Sequence, residues 1–220
     1  MKVLVACEES QEVCKAFREL GHEAFSCDIL PCSGGHPEWH IQDDVLKHLD
    51  DGWDLMIAHP PCTYLSYAGT RSWNNQGRVW KRLEALDFFA KLFTATIPFI
   101  CIENPRGCAS PTIAKYSQII QPYYFGDEES KTTWLWLKGL PLLKPTNIVK
   151  PKVHRIAPNG KKVYFEEATT CKDRAKVRSK TFHGIAVAMA TQFGEYLTKL
   201  KRDTEELVSI PPNPKGIGYP

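Results

Sequence analysis

Residues 54–66 read DLMIAHPPCTYLS, an apolar run that stops at two prolines, a cysteine and a hydroxyl-rich stretch. Proline cannot donate to a strand ladder, so a strand over 53–59 must end at Pro60. Cys62 is thereby delivered on a stiff turn at the carboxyl end of a strand. In open α/β sheets that edge is where ligands bind.

The chain around this turn alternates strand and helix signals over its first 125 residues, which predicts a mostly parallel sheet covered on both faces. KVLVA (2–6) reads as a buried strand. Ser10 is placed to cap a helix running to Leu20, with Val13, Ala16, Phe17 and Leu20 on one face, and Gly21 ends it. EAFSC (23–27) is the second strand, and LPCSGGHPEW leads from it to IQDDV and a short helix. After the loop TYLSYAGTRSWNNQG, a helix is predicted with Val79, Leu83, Leu86, Ala90 and Phe93 on its inner face. FICIE (99–103) is the next apolar strand and ends in Glu103-Asn104-Pro105. QPYYFG and KTTWLWL flank DEES as an edge hairpin on which Trp134 and Trp136 share a half-buried face. A last helix is expected over 183–200, with Ile185, Met189, Phe193 and Tyr196 or Leu197 inward.

Length suits one well-cored domain with a small appendage. No apolar stretch is long enough to span a bilayer, and MKVLVACEES lacks a signal-peptide pattern, so a cytoplasmic protein without a membrane partner is expected. Eight cysteines then imply thiols, ligands or catalysis rather than disulfides. The net charge of +3 hides an asymmetry: residues 131–180 hold 13 Lys/Arg against 3 Asp/Glu, leaving 15 against 22 elsewhere. A basic segment beside an acidic body suits a polyanion, or simply a solvated lysine-rich loop.

Two strand ends carry the chemistry. If the strands before Cys62 and Glu103 are neighbours, a thiol and a carboxylate meet at one crevice. A thiolate can add to C6 of a pyrimidine while an acid steadies charge at N3, which makes C5 a carbon nucleophile. Glu103 would serve as that acid if burial raises its pKa.

PPCTYLS (60–66) with IENPRG (102–107) resembles the two central motifs of cytosine-C5 DNA methyltransferases, Pro-Pro-Cys-Gln-Gly-Phe-Ser and Glu-Asn-Val. FHGIAVAMATQF (182–193) is similar to the family's closing motif and helix. The resemblance spans roughly residues 1–200. It implies a class I S-adenosylmethionine-dependent methyltransferase fold, with a mostly parallel Rossmann-like sheet and an antiparallel edge hairpin. It also implies methyl transfer to C5 of cytosine in double-stranded DNA, the base flipped out of the stack. Cys62 would be the covalent nucleophile and Glu103 the group on the ring. Ser66 would sit in the mobile closing loop (63–76). S-Adenosylmethionine would be held by Cys7, Glu8, Ser10, Asp28, Asp44 and Pro60, with Asp28 on the ribose and Asp44 on the adenine amino group. Asn104, Arg71, Trp73, Lys131 and Arg106 would face the substrate, Lys131 at cytosine O2.

The chain departs from the family in three places. Ala6-Cys7-Glu8-Glu9-Ser10 replaces Phe-x-Gly-x-Gly, Ser130-Lys131-Thr132-Thr133 replaces Gln-Arg-Arg, and about 40 basic residues replace a large recognition domain. Such compact forms are similar to genes often carried by bacteriophages, which points to the cytoplasm of a bacterium or infected host. The expected organisation is a catalytic domain over 1–137 and 181–202, a small basic DNA-recognition insertion over 138–180 and a disordered tail over 203–220, with a monomer favoured. Cys7, Cys14, Cys101 and Cys171 read as small buried hydrophobes. Cys27, Cys32, His36 and His40 have a spacing zinc could use, against which no metal is expected. Two rival functions remain: a C5-modifying enzyme of free deoxycytidine nucleotides, and a decayed, DNA-binding methyltransferase scaffold.

Overall fold

The computed structural model describes residues 1–164 and 180–209. Seven strands form one sheet: β1 (Lys2–Ala6), β2 (Glu23–Asp28), β3 (His40–Gln42), β4 (Leu55–Ala58), β5 (Phe99–Pro105), β6 (Gln118–Ile120) and β7 (Thr133–Lys138). Their order is β3-β2-β1-β4-β5-β7-β6. The first five are parallel, whereas β7 runs antiparallel to both β5 and β6. The expected architecture, a mostly parallel sheet with an antiparallel edge hairpin, is therefore the one found. The order reverses direction between β1 and β4, the kind of switch point outside whose strand ends open α/β sheets bind ligands.

Alternation along the strands builds two cores. Val3, Val5, Leu55 and Ile57 face helices α1 (Glu12–Glu19) and α4 (His183–Ser209), meeting Phe17, Ile185, Met189 and Phe193. Leu4, Ala6, Met56 and Ala58 face the other way, toward Phe89 and Leu92 of α2 (Arg78–Phe93). A short α3 (Ala109–Thr112) follows β5. Beyond β7, Arg155–Ile156 (β8) and Lys162–Val163 (β9) make a two-stranded ribbon in the basic segment.

Several expected details are corrected. Ser10 does not cap α1. The N-cap is Gln11, which makes no side-chain cap bond, and the Glu8 carboxylate accepts from Val13 N at 2.7 Å and Cys14 N at 3.2 Å. A carboxylate offers two acceptors to the helix's unpaired amides, which one hydroxyl cannot. On α2, burial is confined to the carboxyl-terminal half. Val79 and Leu83, expected inward, are exposed, and Phe89 and Leu92 take the core positions. The edge strand is Gln118–Ile120 rather than QPYYFG, because Pro122 opens a 3₁₀ turn there. Trp134 and Trp136 are both buried, more completely than a half-buried hairpin requires. On α4 the inward position is Leu197, while Tyr196 stays 38% exposed. The helix runs on to Ser209, so residues 203–209, expected in the tail, are helical. Cys171, the rest of the tail and residues 165–179 of the basic segment lie outside the described residues.

Removing the Glu8 cap strands two buried amides. Glu8→Ala is expected to cost about 2 kcal/mol, read as a lower urea midpoint at unchanged m-value.

Candidate active site

β4 and β5 are adjacent and in register, Ala58 opposite Ile102. The residues that follow therefore emerge side by side: His59-Pro60-Pro61-Cys62 from one strand, Glu103-Asn104-Pro105 from the other. His59 N extends the ladder to Ala6 O at 2.9 Å before the prolines end it. Asn104 Nδ2 then donates to Pro60 O at 2.7 Å and ties the proline turn to β5. Pro60 is buried, while Cys62 is exposed.

A second tie lies just beyond. Leu65 O accepts from Cys108 N at 2.9 Å, Arg106 O accepts from Tyr67 N at 3.1 Å, and Ser66 bridges Gly107. The start of the expected mobile loop is thus stitched to the chain leaving β5, and Ser66 caps the next 3₁₀ turn by accepting from Ala68 N. Gly107 is required here because a Cβ would lie 2.2 Å from Leu65 O. Gly107→Ala is expected to lower stability by about 2 kcal/mol or more, measured by urea unfolding.

Exposure singles out the thiol. Among the described cysteines, Cys62 alone is exposed rather than buried or half-buried. Burial pushes the Cys14 and Cys27 thiols up to about 12 and raises Cys7, Cys101 and Cys108 as well. Thiols held protonated are poor nucleophiles.

Glu103 behaves otherwise than the sequence suggested. Burial pushes its carboxyl up, but a hydrogen bond from His59, the charge of Lys131, the His59 charge and a Thr133 hydrogen bond outweigh it, and the pKa is lowered. The group is held as a carboxylate and accepts hydrogen bonds rather than donating one. Its partner was absent from the expected set: His59 Nδ1 lies 3.0 Å from Glu103 Oε2, with the two side chains only 7% and 11% exposed. The signal available in the sequence was position, since His59 ends β4 as Glu103 nears the end of β5.

The expected substrate residues surround this point unequally. Lys131 acts on Glu103 and lies 5.8 Å from the Phe182 ring. Asn104 is buried, its Oδ1 without a hydrogen-bond partner among the described residues. Arg106 is exposed over Tyr67. Arg71 is exposed, but Trp73 is packed against Tyr67 with the Arg82 guanidinium 4.5 Å above its ring. Thr63, Tyr64, Ser66, Gly69, Trp73, Arg78 and Arg82 line a shallow depression that includes neither Cys62 nor Glu103.

The expected cofactor residues divide. Cys7 sits where β1 ends, and the charges of Asp28 and Asp44 both reach it. Cys7 and Gln11 adopt left-handed backbone, φ 60° and 59°, so the loop turns without glycine as a glycine-containing one would. Asp28 Oδ1 accepts from Leu30 N and Asp44 Oδ1 from Leu46 N. A second carboxylate oxygen on each can still accept from hydroxyl or amino groups, which fits a nucleoside. Glu8 is buried and engaged with α1, and Ser10 is buried. The zinc-spaced residues are engaged separately: Cys27 Sγ with Asp43 O, Cys32 Sγ with Gln11 Oε1, His36 with Glu38, and His40 with Ser26 and Leu30 O. No metal-binding cluster occurs among the described residues, and no helix among them is long and apolar enough to cross a membrane.

The chain matches no protein-family model and no curated protein. Among solved structures it is similar to a prophage-encoded E. coli protein described as a DNA modification methyltransferase. That match has 14% identity, covers 70% of this chain and 53% of the other, and has a TM-score of 0.44. It is also similar to a Spodoptera frugiperda DNMT2 mutant, with 15% identity, coverage of 68% and 57%, and a TM-score of 0.39. The chain thus spans little more than half the length of each.

Proposed function

We propose that the protein transfers a methyl group from S-adenosylmethionine to C5 of cytosine in DNA through a covalent Cys62 adduct. The observation that supports this reading best is the pairing of strand ends: the Pro-Pro-Cys turn and Glu103-Asn104 leave adjacent parallel strands and are bonded through Asn104 and Pro60.

Cys62 sulfur, as thiolate, bonds to C6 of the ring. The C5=C6 π pair shifts, making C5 nucleophilic while charge spreads to N3 and O2. Glu103, ionised, accepts from the exocyclic amine, and Lys131 offers its charge to O2. When bound, S-adenosylmethionine would supply a methyl carbon on its sulfonium sulfur; C5 takes the methyl as the S–CH3 bond breaks and its pair stays on sulfur, leaving the neutral thioether. Water takes the C5 proton, the pair of that C–H bond re-forms C5=C6, and the C6–S bond breaks so that Cys62 leaves as thiolate. Asp28 would accept from the ribose hydroxyls and Asp44 from the adenine amine, with Cys7 and Pro60 lining the same edge. The cytosine must be unstacked for sulfur to reach C6. Arg71, Arg106 and the basic segment after β7 would contact the phosphates.

Nucleoside mass spectrometry of duplex DNA incubated with the protein and S-adenosylmethionine tests the reading, with 5-methyldeoxycytidine the expected product. Methylation of dCMP with duplex untouched would replace DNA by the free nucleotide as substrate. Retention of DNA without donor binding or product would overturn the enzymatic reading.

A further inference from the structure

The His59–Glu103 pair is more than the proposed chemistry asks of a carboxylate. The His59 side chain is buried beside Glu103, and groups from the neighbouring elements converge on the pair. Glu103 of β5 lies at 3.0 Å from its Nδ1. Thr133, which begins β7, and Lys131 just before it act on the same Glu103 carboxylate. Thr181 Oγ1, ahead of α4, is 3.5 Å from Nδ1. Glu8, in the loop between β1 and α1, is close enough for the imidazole to draw its carboxyl pKa down against the larger rise that burial causes. His59 Nε2 is buried and has no hydrogen-bond partner among the described residues.

Burying two ionisable side chains carries a desolvation cost that their mutual attraction repays only with good geometry and further hydrogen bonds. Here that geometry fixes a proton position. With His59 Nδ1–H donating to Oε2 and Thr133 donating to the same carboxylate, Glu103 carries no proton of its own and its remaining lone pairs can only accept. A pyrimidine with an amino group at C4 can donate to such an oxygen. A pyrimidine with a carbonyl at C4 would set lone pair against lone pair. Discrimination of that kind is large, because the mismatched polar groups are buried and stay unpaired.

Resting on the cytosine reading above, we propose that His59 is a positioning residue of the reaction centre: through Nδ1 it holds Glu103 as an acceptor, and so sets the preference for a 4-amino over a 4-oxo pyrimidine. His59 does not touch the ring; it acts through Glu103.

Two variants separate this role from simple support of the fold. In His59→Asn the amide nitrogen can stand near the place of Nδ1 and still donate to Glu103, whereas His59→Ala removes the donor. Carbon-13 NMR titration of the Glu103 carboxyl in the free protein reads the pairing directly, without need of activity. The Glu103 midpoint is expected to rise in His59→Ala and to stay near wild type in His59→Asn; an unmoved midpoint in the alanine variant would overturn the pairing. Covalent trapping is then compared on duplexes carrying 5-fluorocytosine or 5-fluorouracil at one position, with donor present. The ratio of cytosine to uracil adduct should fall about tenfold to a hundredfold in His59→Ala and return in His59→Asn. Equal loss of both adducts, with the ratio kept, would overturn the specificity role and leave His59 structural. No adduct from the wild-type protein on either duplex would sink the methyltransferase reading and the specificity role with it, while the carboxyl titration would still report whether His59 holds Glu103. Thermal melts of both variants identify loss of fold, and the asparagine variant carries the test if alanine does not fold.

Discussion

Cys62→Ala is expected to abolish methyl transfer, lowering the rate by at least about a thousandfold, because among the described cysteines Cys62 is the exposed one and the proposed bond to C6 is made by its sulfur. The same variant should form no covalent complex with duplex containing 5-fluorocytosine, while melting within about 0.5 kcal/mol of wild type, as exposed side chains generally do. Mass spectrometry of the protein–DNA mixture checks both the presence and the site of the adduct. Cys32→Ala is the matched control: that thiol is only partly exposed, donates to Gln11 Oε1, and lies in the loop after β2. An adduct that persists without Cys62 would require a different nucleophile and end the proposed mechanism.

The second large effect concerns Glu103. Glu103→Ala leaves His59 buried without its carboxylate and removes the acceptor for Thr133, so a loss of about 3–5 kcal/mol is expected, together with activity. Glu103→Gln keeps an acceptor for His59 and should fold better while remaining inactive toward cytosine. The pH dependence has a definite sign. The folded carboxyl is held below its ordinary value of 4.5, so its stabilisation is complete above that pH. It fades as pH falls through the lower, folded value. Urea unfolding of wild type should therefore weaken on acidification below about pH 4.5, and the glutamine variant should show a shallower decline over that window.

Much of this architecture could be read in advance because its signals are local. Pro60 and Pro61 end β4 wherever it packs, and the run Phe99–Ile102 has no reading other than a buried strand. Alternating faces of β1 and β4 follow from a two-residue period. The misreadings arose where a tertiary partner decides. Val79 and Leu83 share a face with Leu86, but nothing in the spacing says that packing on α2 begins only near Ala85 and full burial only at Phe89. Ser10 has the chemistry of a cap, yet Glu8 reaches the same amides with two oxygens because Gln11 turns left-handed. His59 was passed over because histidine at a strand end carries no motif. Its meaning comes from Glu103, 44 residues later, and from a register that only the assembled sheet supplies. The same holds for Trp73, which looked like a free aromatic until Arg82 and Tyr67 were found against it.

The stitch between residues 65–67 and 106–108 divides the segment after the nucleophile into two mechanical parts. Upstream of Ser66 the backbone inherits the rigidity of the central sheet; downstream, from Ala68 to Gly77, it does not share those bonds. Any swing toward a bound nucleotide must therefore pivot beyond that seam, and a protease cut in the outer part would leave the sulfur seated where it was.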